Sequence, residues 1–390
     1  MRYNFDKVID RSGTSAEKVE GLKHIWGRTD LIPLWVADMD FATAPFVTDA
    51  IRKRCENEVL GYTGKPDSYY NAIINWVKQR YDLVVTKEMI NFVPGIVPGI
   101  GMAMNCFTQK GDKVMIQPPV YHPFAWVTTR NERTLVTNPL KWENGMYRMD
   151  LDTFREQIKG CKLFILCNPH NPGGVVWTEA ELRAIADICY DEKVLVFSDE
   201  IHADLTLPPH THRPFATVSE KARMNSVTFM SPSKAFNMPG LSASHALIFN
   251  EDLRKRFRIY MDAGELDMGH VFAFLSVEAA YSHGTEWLDQ CLAYIQGNID
   301  FVDDFLKNHA PKIKAIRPEA SYLVWLDCRE LKLSQKDLNE FFVDKAHLAL
   351  NDGEMFGKEG IGFMRLNVAS PRCIIEKAMK QLADEIGRAS

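Results

Sequence analysis

The middle of this 390-residue chain switches repeatedly between two hydrophobic periods, and that switching restricts the folds open to it. Short apolar runs, KVMIQ, KLFILC, VLVFSD, SVTFM and HALIF, read as strands buried on both faces. Helical patterns lie between some of them. In TEAELRAIADICYDE, Thr178 and Glu181 have the spacing of a capping box, which predicts a helix starting there. Strand–helix alternation of this kind predicts an α/β fold with a mostly parallel sheet.

Upstream, APFVTDAIRKRCENEV (Val47, Ile51, Cys55, Val59) and SYYNAIINWVKQRY (Tyr70, Ile73, Val77) have helical spacing. From about Gly269 the pattern changes. A long helix-like stretch interrupted near Gly284 precedes strand-like SYLVWLD, helical SQKDLNEFFVDKA, the Gly-rich loop NDGEMFGKEGIG, strand-like FMRLNVA and a last helix after Pro371. The chain is too long for one simple core. The expected division is an N-terminal segment, 1–45, packing with a small domain; a large domain, 46–280; and a small C-terminal α+β domain, 281–390.

In open α/β sheets, ligands bind beyond the carboxyl ends of the strands. After KVMIQ comes PPVYHP with Tyr121; after KLFILC comes NPHNPGG with Asn171. VLVFS ends on Asp199 and is followed by His202, and SVTFM ends on Ser231-Pro232-Ser233-Lys234. An aromatic ring, a carboxamide, a carboxylate, then hydroxyls with an amine are the complements of pyridoxal 5′-phosphate. Its aldehyde needs Lys234. Its pyridine nitrogen needs a carboxylate, Asp199, that keeps it protonated. Asn171 suits the phenolic oxygen, Tyr121 the ring face, and Ser231, Ser233 and the turn at Gly95, Ile96 and Val97 the phosphate. Singly, each residue reads as ordinary turn punctuation, a helix cap or a solvated lysine. It is their coincidence on successive strand ends that carries the assignment.

Charge and cysteine content exclude other classes. A net charge of −5 gives no electrostatic case for nucleic acid or for an anionic membrane surface. No C-x-x-C pair occurs among the eight cysteines, and five of them sit in apolar patterns as small core residues. No metal site is expected. The stretch MRYNFDKVIDR has no signal-like apolar segment and no run is long enough to span a bilayer, so the expected location is cytoplasmic.

NPHNPGG, SDEIHADL and SPSKAFNMPG resemble the motifs of fold-type-I pyridoxal-phosphate enzymes, the aspartate aminotransferase superfamily, and the similarity runs from PLWVADMDF to FMRLNVASP. LWVADMDF, PVYHPF, NPHNPGG, DEIH and SKAFN together resemble the bacterial cystathionine β-lyase/C–S lyase branch, in which His202 matches a histidine where other branches carry tyrosine. The resemblance implies a PLP-dependent transferase-like fold: a seven-stranded, mostly parallel sheet flanked by helices, with a smaller α+β domain. It also implies that Tyr62 reaches a neighbouring subunit's cofactor phosphate, hence a homodimer with shared sites; that Arg365 binds the substrate carboxylate; and that Ala37 contacts the substrate through its backbone. Many aminotransferases have a phosphate-binding arginine eight residues after the lysine; here that position is Ser242. The implied activity is α,β-elimination from a sulfur amino acid, L-cystathionine or a cysteine S-conjugate, with Lys234, Tyr121 and Asp199 catalytic. The same residues serve an aminotransferase, which is the alternative. A regulator that binds a transcription factor ranks below both.

Overall fold

The computed structural model describes residues 2–389. Its main sheet has seven strands: β1 (Ile90–Val93), β2 (Lys113–Ile116), β3 (Thr134–Thr137), β4 (Cys161–Cys167), β5 (Leu195–Asp199), β6 (Ser226–Met230) and β7 (Ser244–Leu247), in the order β1-β7-β6-β5-β4-β2-β3. Pairing is parallel from β3 across to β6, and β7 runs antiparallel to both of its neighbours. All five apolar runs quoted above enter this sheet. In β4, Leu163, Ile165 and Cys167 face one hydrophobic cluster while Phe164 and Leu166 face another, so both sides are covered. The Thr178–Glu181 capping box is present and opens the helix Glu179–Asp191.

Register sets the site's position. Cys167 lies opposite Asp199, and Asp199 opposite Phe229. The segments carrying Asn171, His202 and Ser231–Lys234 therefore leave the sheet at one level.

A second sheet of four antiparallel strands, β8 (Lys314–Ile316), β9 (Leu323–Asp327), β10 (Asn351–Asp352) and β11 (Phe363–Asn367), has the order β8-β9-β11-β10. The helices Thr285–His309 and Arg372–Ala389 accompany it. Gly284 separates the former from Val271–His283; a Cβ there would meet the Ala280 carbonyl at 2.3 Å. Ile32–Pro33 pairs with Leu348–Ala349, and Asn367 N–H bonds the Leu34 carbonyl at 2.9 Å, which ties the N-terminal segment to the second sheet.

One helical pattern overreaches. The helix starting at Pro45 ends at Cys55, and Val59 is 72 % exposed. Arg54 donates to the Asn57 and Val59 carbonyls, and Asn57 Oδ1 accepts the Val59 N–H, so these backbone groups are met in a turn instead of a fourth helical turn. Five of the eight cysteines are buried. Among the described residues no helix is long and apolar enough to cross a membrane.

Candidate active site

The strand ends of β2, β4, β5 and β6 open into a cavity of about 210 Å³. Tyr121, Asn171, Asp199, His202, Ser233 and Lys234 lie on its wall. Ala37 and the Gly95–Val97 turn complete it. At that turn Gly95 has φ +136° and precedes the helix Ile96–Phe107, whose first N–H groups have no intrahelical acceptor. The result is an anion-favouring corner beside the Ser233 hydroxyl.

Asp199 is buried, and Ile201 N–H donates to its Oδ1 at 3.1 Å. Burial pushes its carboxyl up to about 7; the Ile201 N–H and Lys234 oppose the rise and Glu200 adds to it. Lys234 Nζ donates to the Ala37 carbonyl at 2.6 Å. Burial pulls this amine down to about 8 and Arg365 acts in the same direction, while Asp38 and Asp199 resist. Near neutral pH a share of it is therefore unprotonated, as a nucleophile or base requires. Burial, then Asp199, raises the Tyr121 phenol. His202 is pulled down to about 3, chiefly by burial, so it is neutral, and its Nδ1 lacks a hydrogen-bond partner.

Behind Asn171 stands Arg365, 4 % exposed. It donates to Asn171 Oδ1 at 3.0 Å, to the Trp35 carbonyl at 3.2 Å and to Asn351 Oδ1. With its oxygen so occupied, Asn171 has its NH₂ group left to donate. The Phe356 ring lies 4.8 Å from the guanidinium carbon. Burial lowers Arg365 to about 10, which leaves it cationic at neutral pH. Its hydrogen-bond partners are neutral oxygens and its Nε has none among the described residues, and a buried cation without a matching anion is costly unless one arrives.

Residues 29–384 match the family Aminotransferase class I and II. The chain belongs to this family. It is 38% identical to the cystathionine β-lyase PatB of Bacillus subtilis (strain 168), over 97% of the chain and 98% of that protein. Cystalysin from Treponema denticola, whose crystal structure contains pyridoxal 5′-phosphate, superposes with a TM-score of 0.97 at 33% identity, covering 100% of both chains. The PLP-bound C–S lyase from Staphylococcus hominis gives a TM-score of 0.91 at 35% identity, covering 99% of this chain and 98% of that one.

Three of the residues expected at the site of this class I and II aminotransferase chain are not on the cavity wall: Arg365, which stands behind Asn171, Ser231 and Tyr62. Ser231 Oγ donates to the Ala243 carbonyl at 2.7 Å and accepts the Ser233 N–H at 3.1 Å; its hydroxyl holds the Ser233 loop. Tyr62 is 98 % exposed, on a separate surface groove beside the Lys65–Asp267 ion pair. Ser242 does line the cavity. Motif reading missed Tyr322, whose hydroxyl donates to the Ala37 carbonyl at 2.9 Å, as well as Cys167 on the wall and Asn351 and Phe356 against Arg365. The Gly-rich loop between Asn351 and Gly362 was the available signal for the last two.

Proposed function

We propose that this chain is a pyridoxal-5′-phosphate-dependent C–S β-lyase that cleaves L-cystathionine or cysteine S-conjugates to a thiol, pyruvate and ammonia. The observation that carries the reading is one cavity holding a partly deprotonated Lys234 and a buried Asp199, with the unpaired Arg365 directly behind Asn171. The lyase names of relatives matched over nearly the full chain favour elimination over amino transfer.

The residues fit the cofactor. Asp199, raised to about 7, is a carboxyl that lacks a cation, and a protonated ring nitrogen supplies one. The Gly95 turn and the Ser233 hydroxyl suit a phosphate. When bound, pyridoxal phosphate supplies an aldehyde that bonds to amines and a ring that draws electrons from the substrate Cα.

The chain's own groups do the rest. Arg365 takes the substrate carboxylate bidentately and fixes the amino acid's orientation. Lys234, freed as an amine, removes the Cα proton. Asp199 would hold a proton on the ring nitrogen, Asn171 would donate to the phenolic oxygen, and Tyr121 would offer its aromatic face and its phenol to the bound group. His202 is the neutral polar group beside Asp199, and Ala37 offers its carbonyl to the bound amine.

This reading includes a homodimer with shared sites through Tyr62, a cytoplasmic location, and the division 1–45, 46–280, 281–390. Strand pairing of residues 32–33 with 348–349 supports the packing of the N-terminal segment with the small domain. The test offers L-cystathionine alone, with no keto acid, and follows pyruvate by a coupled dehydrogenase and thiol by a disulfide reagent. Pyruvate and thiol should appear together, and borohydride should fix the cofactor on the peptide SPSKAFNMPG. Turnover only after a keto acid is added would make the chain an aminotransferase.

A further inference from the structure

Ala37 belongs to a stretch, 34–44, without helix or strand, yet the stretch is held at nearly every step. Asn367 Nδ2 donates to the Val36 and Asp38 carbonyls, each at 2.7 Å. Asn237 accepts the Met39 N–H at 2.9 Å and donates to the Met39 and Phe41 carbonyls at 3.0 and 2.7 Å. Each asparagine is a near neighbour in sequence of a site residue: Asn237 follows Lys234 by three positions and Asn367 follows Arg365 by two.

Beside this stretch lie four charges that the reaction does not use. Lys18, 0 % exposed, pairs with Asp40 at 2.8 Å and Asp38 at 3.7 Å, and donates to the Asp38 carbonyl at 3.2 Å. Arg11 pairs with Asp38 at 2.6 Å and Asp40 at 3.3 Å. Arg11, Asp38 and Asp40 line a second cleft and not the catalytic cavity. Burying a lysine this completely is costly, and the matched carboxylates offset it. What the arrangement achieves is a fixed Ala37.

We propose that Asp38 is a positioning residue for Lys234: pinned by Arg11 and Lys18, it fixes the Ala37 carbonyl against the lysine amine and keeps a negative charge behind that contact. The proposal rests on the functional reading above for its importance, but not for its test. Lys234 is also faced by Asp199 and His202 from the end of β5, by Arg365 from β11, and by Tyr121 and Tyr322. Among the anions, Asp38 outweighs Asp199 in raising the amine's proton affinity. Replacing it with asparagine therefore makes the amine lose its proton at lower pH. Asp40 belongs to the same ion cluster without acting on Lys234 in this way, which makes it the control.

The experiment uses full-length protein freed of cofactor, acetylated with acetic anhydride across a pH series, with labelling of the Lys234 peptide read by mass spectrometry. Asp38→Asn should lower the midpoint of Lys234 reactivity by about one pH unit. Asp40→Asn should leave it in place, although it removes an equivalent carboxylate from the cluster. An unmoved midpoint in Asp38→Asn, or equal shifts in both variants, overturns the proposal by reducing the cluster to a structural role. If Asp38→Asn alone fails to fold, the pair Lys18→Met with Asp38→Asn leaves no charge stranded at Lys18, and the same criterion applies. Failure of the wild-type protein to form pyruvate would remove the lyase reading while leaving this titration to stand or fall by itself.

Discussion

Two tyrosines assigned to the same cofactor sit in opposite surroundings. Tyr121 lies on the cavity wall, its phenol raised by burial and by Asp199. Tyr62 is 98 % exposed, in a run with Val59 and Leu60 at 72 % and 60 %. The first is placed by a strand end and needs only its own chain. The second has an apolar surface that its own chain leaves uncovered. One chain builds the chemical half of the site from its sheet; in the proposed homodimer the Tyr62 run would meet a second copy, and a two-fold axis would give each subunit's Tyr62 the other's site.

The largest effect that sharpens this contrast belongs to the inner wall. Asp199→Asn keeps the side chain's size and its acceptor for the Ile201 N–H. It removes the charge that the proposed function sets against the ring nitrogen. Turnover should fall by about a thousandfold or more, equivalent to ~4 kcal/mol of barrier. Exchange of the substrate Cα hydrogen with solvent should fall in parallel, while cofactor still binds. Near-normal exchange would make Asp199 a cap for Ile201 and nothing more. Next comes Arg365→Lys. It retains a cation but loses the planar fork that contacts Asn171, Trp35 and Asn351. KM for the amino acid should rise by about 10- to 100-fold, measured by steady-state kinetics, with a smaller change in kcat. A change confined to kcat would mean that Arg365 is not the carboxylate's partner.

What was legible in the sequence follows the same divide. Strand ends are local: an apolar run stops, and the residues just after it are those that face the cavity. Tyr121, Asn171, Asp199 and Lys234 could all be read that way, as could the Thr178 cap. Ser231 shows the limit of the rule, since one hydroxyl of a strand-end pair faces inward to brace the other. Val59 shows a different limit. Helical spacing continued past Cys55, but Arg54 satisfied the next carbonyls in a turn, and periodicity does not register such capping. The Arg11–Lys18–Asp38–Asp40 cluster joins positions at most 29 apart, but across loop-rich backbone that carries no period to read; Tyr322 against Ala37 joins positions 285 apart, which only the packing of the second sheet on the N-terminal segment brings together.

The outer half of the comparison predicts complementation. If Tyr62 serves the neighbour, homodimers of Tyr62→Ala and homodimers of Lys234→Ala each lack a needed group at both sites and are inactive. Mixed in equal amounts, they should recover about a quarter of wild-type activity, since half of the dimers are mixed and each of those has one intact site of two. Mass spectrometry must show that mixed dimers form. Mixed dimers without recovery would leave the exposed Tyr62 run unexplained by a shared site.

The smallest effect is a pH dependence, and it tests whether the inner wall is strained without its ligand. In cofactor-free protein, burial raises Asp199 from an unfolded value of 3.8 to about 7. Between those values the folded state binds more protons than the unfolded one, so this carboxyl's contribution to stability falls as pH rises through the window. Lys234 behaves oppositely at higher pH. Its folded value of about 8 lies below the unfolded 10.5, so its contribution recovers as pH rises from 8 to 10.5. Asp199→Asn lacks the first slope and keeps the second. Relative to wild type, the cofactor-free variant should therefore gain stability between pH 4 and pH 7, by about 3 kcal/mol, read from denaturant unfolding at matched ionic strength. Lys234→Ala should instead keep the fall at low pH and lose the recovery above pH 8. A constant gap between wild type and Asp199→Asn across the lower window would mean that Asp199 is already ionised and satisfied by the Ile201 N–H. The cavity would then have no unmet demand for a protonated ring, and the inner wall would be as indifferent to a ligand as an ordinary helix cap.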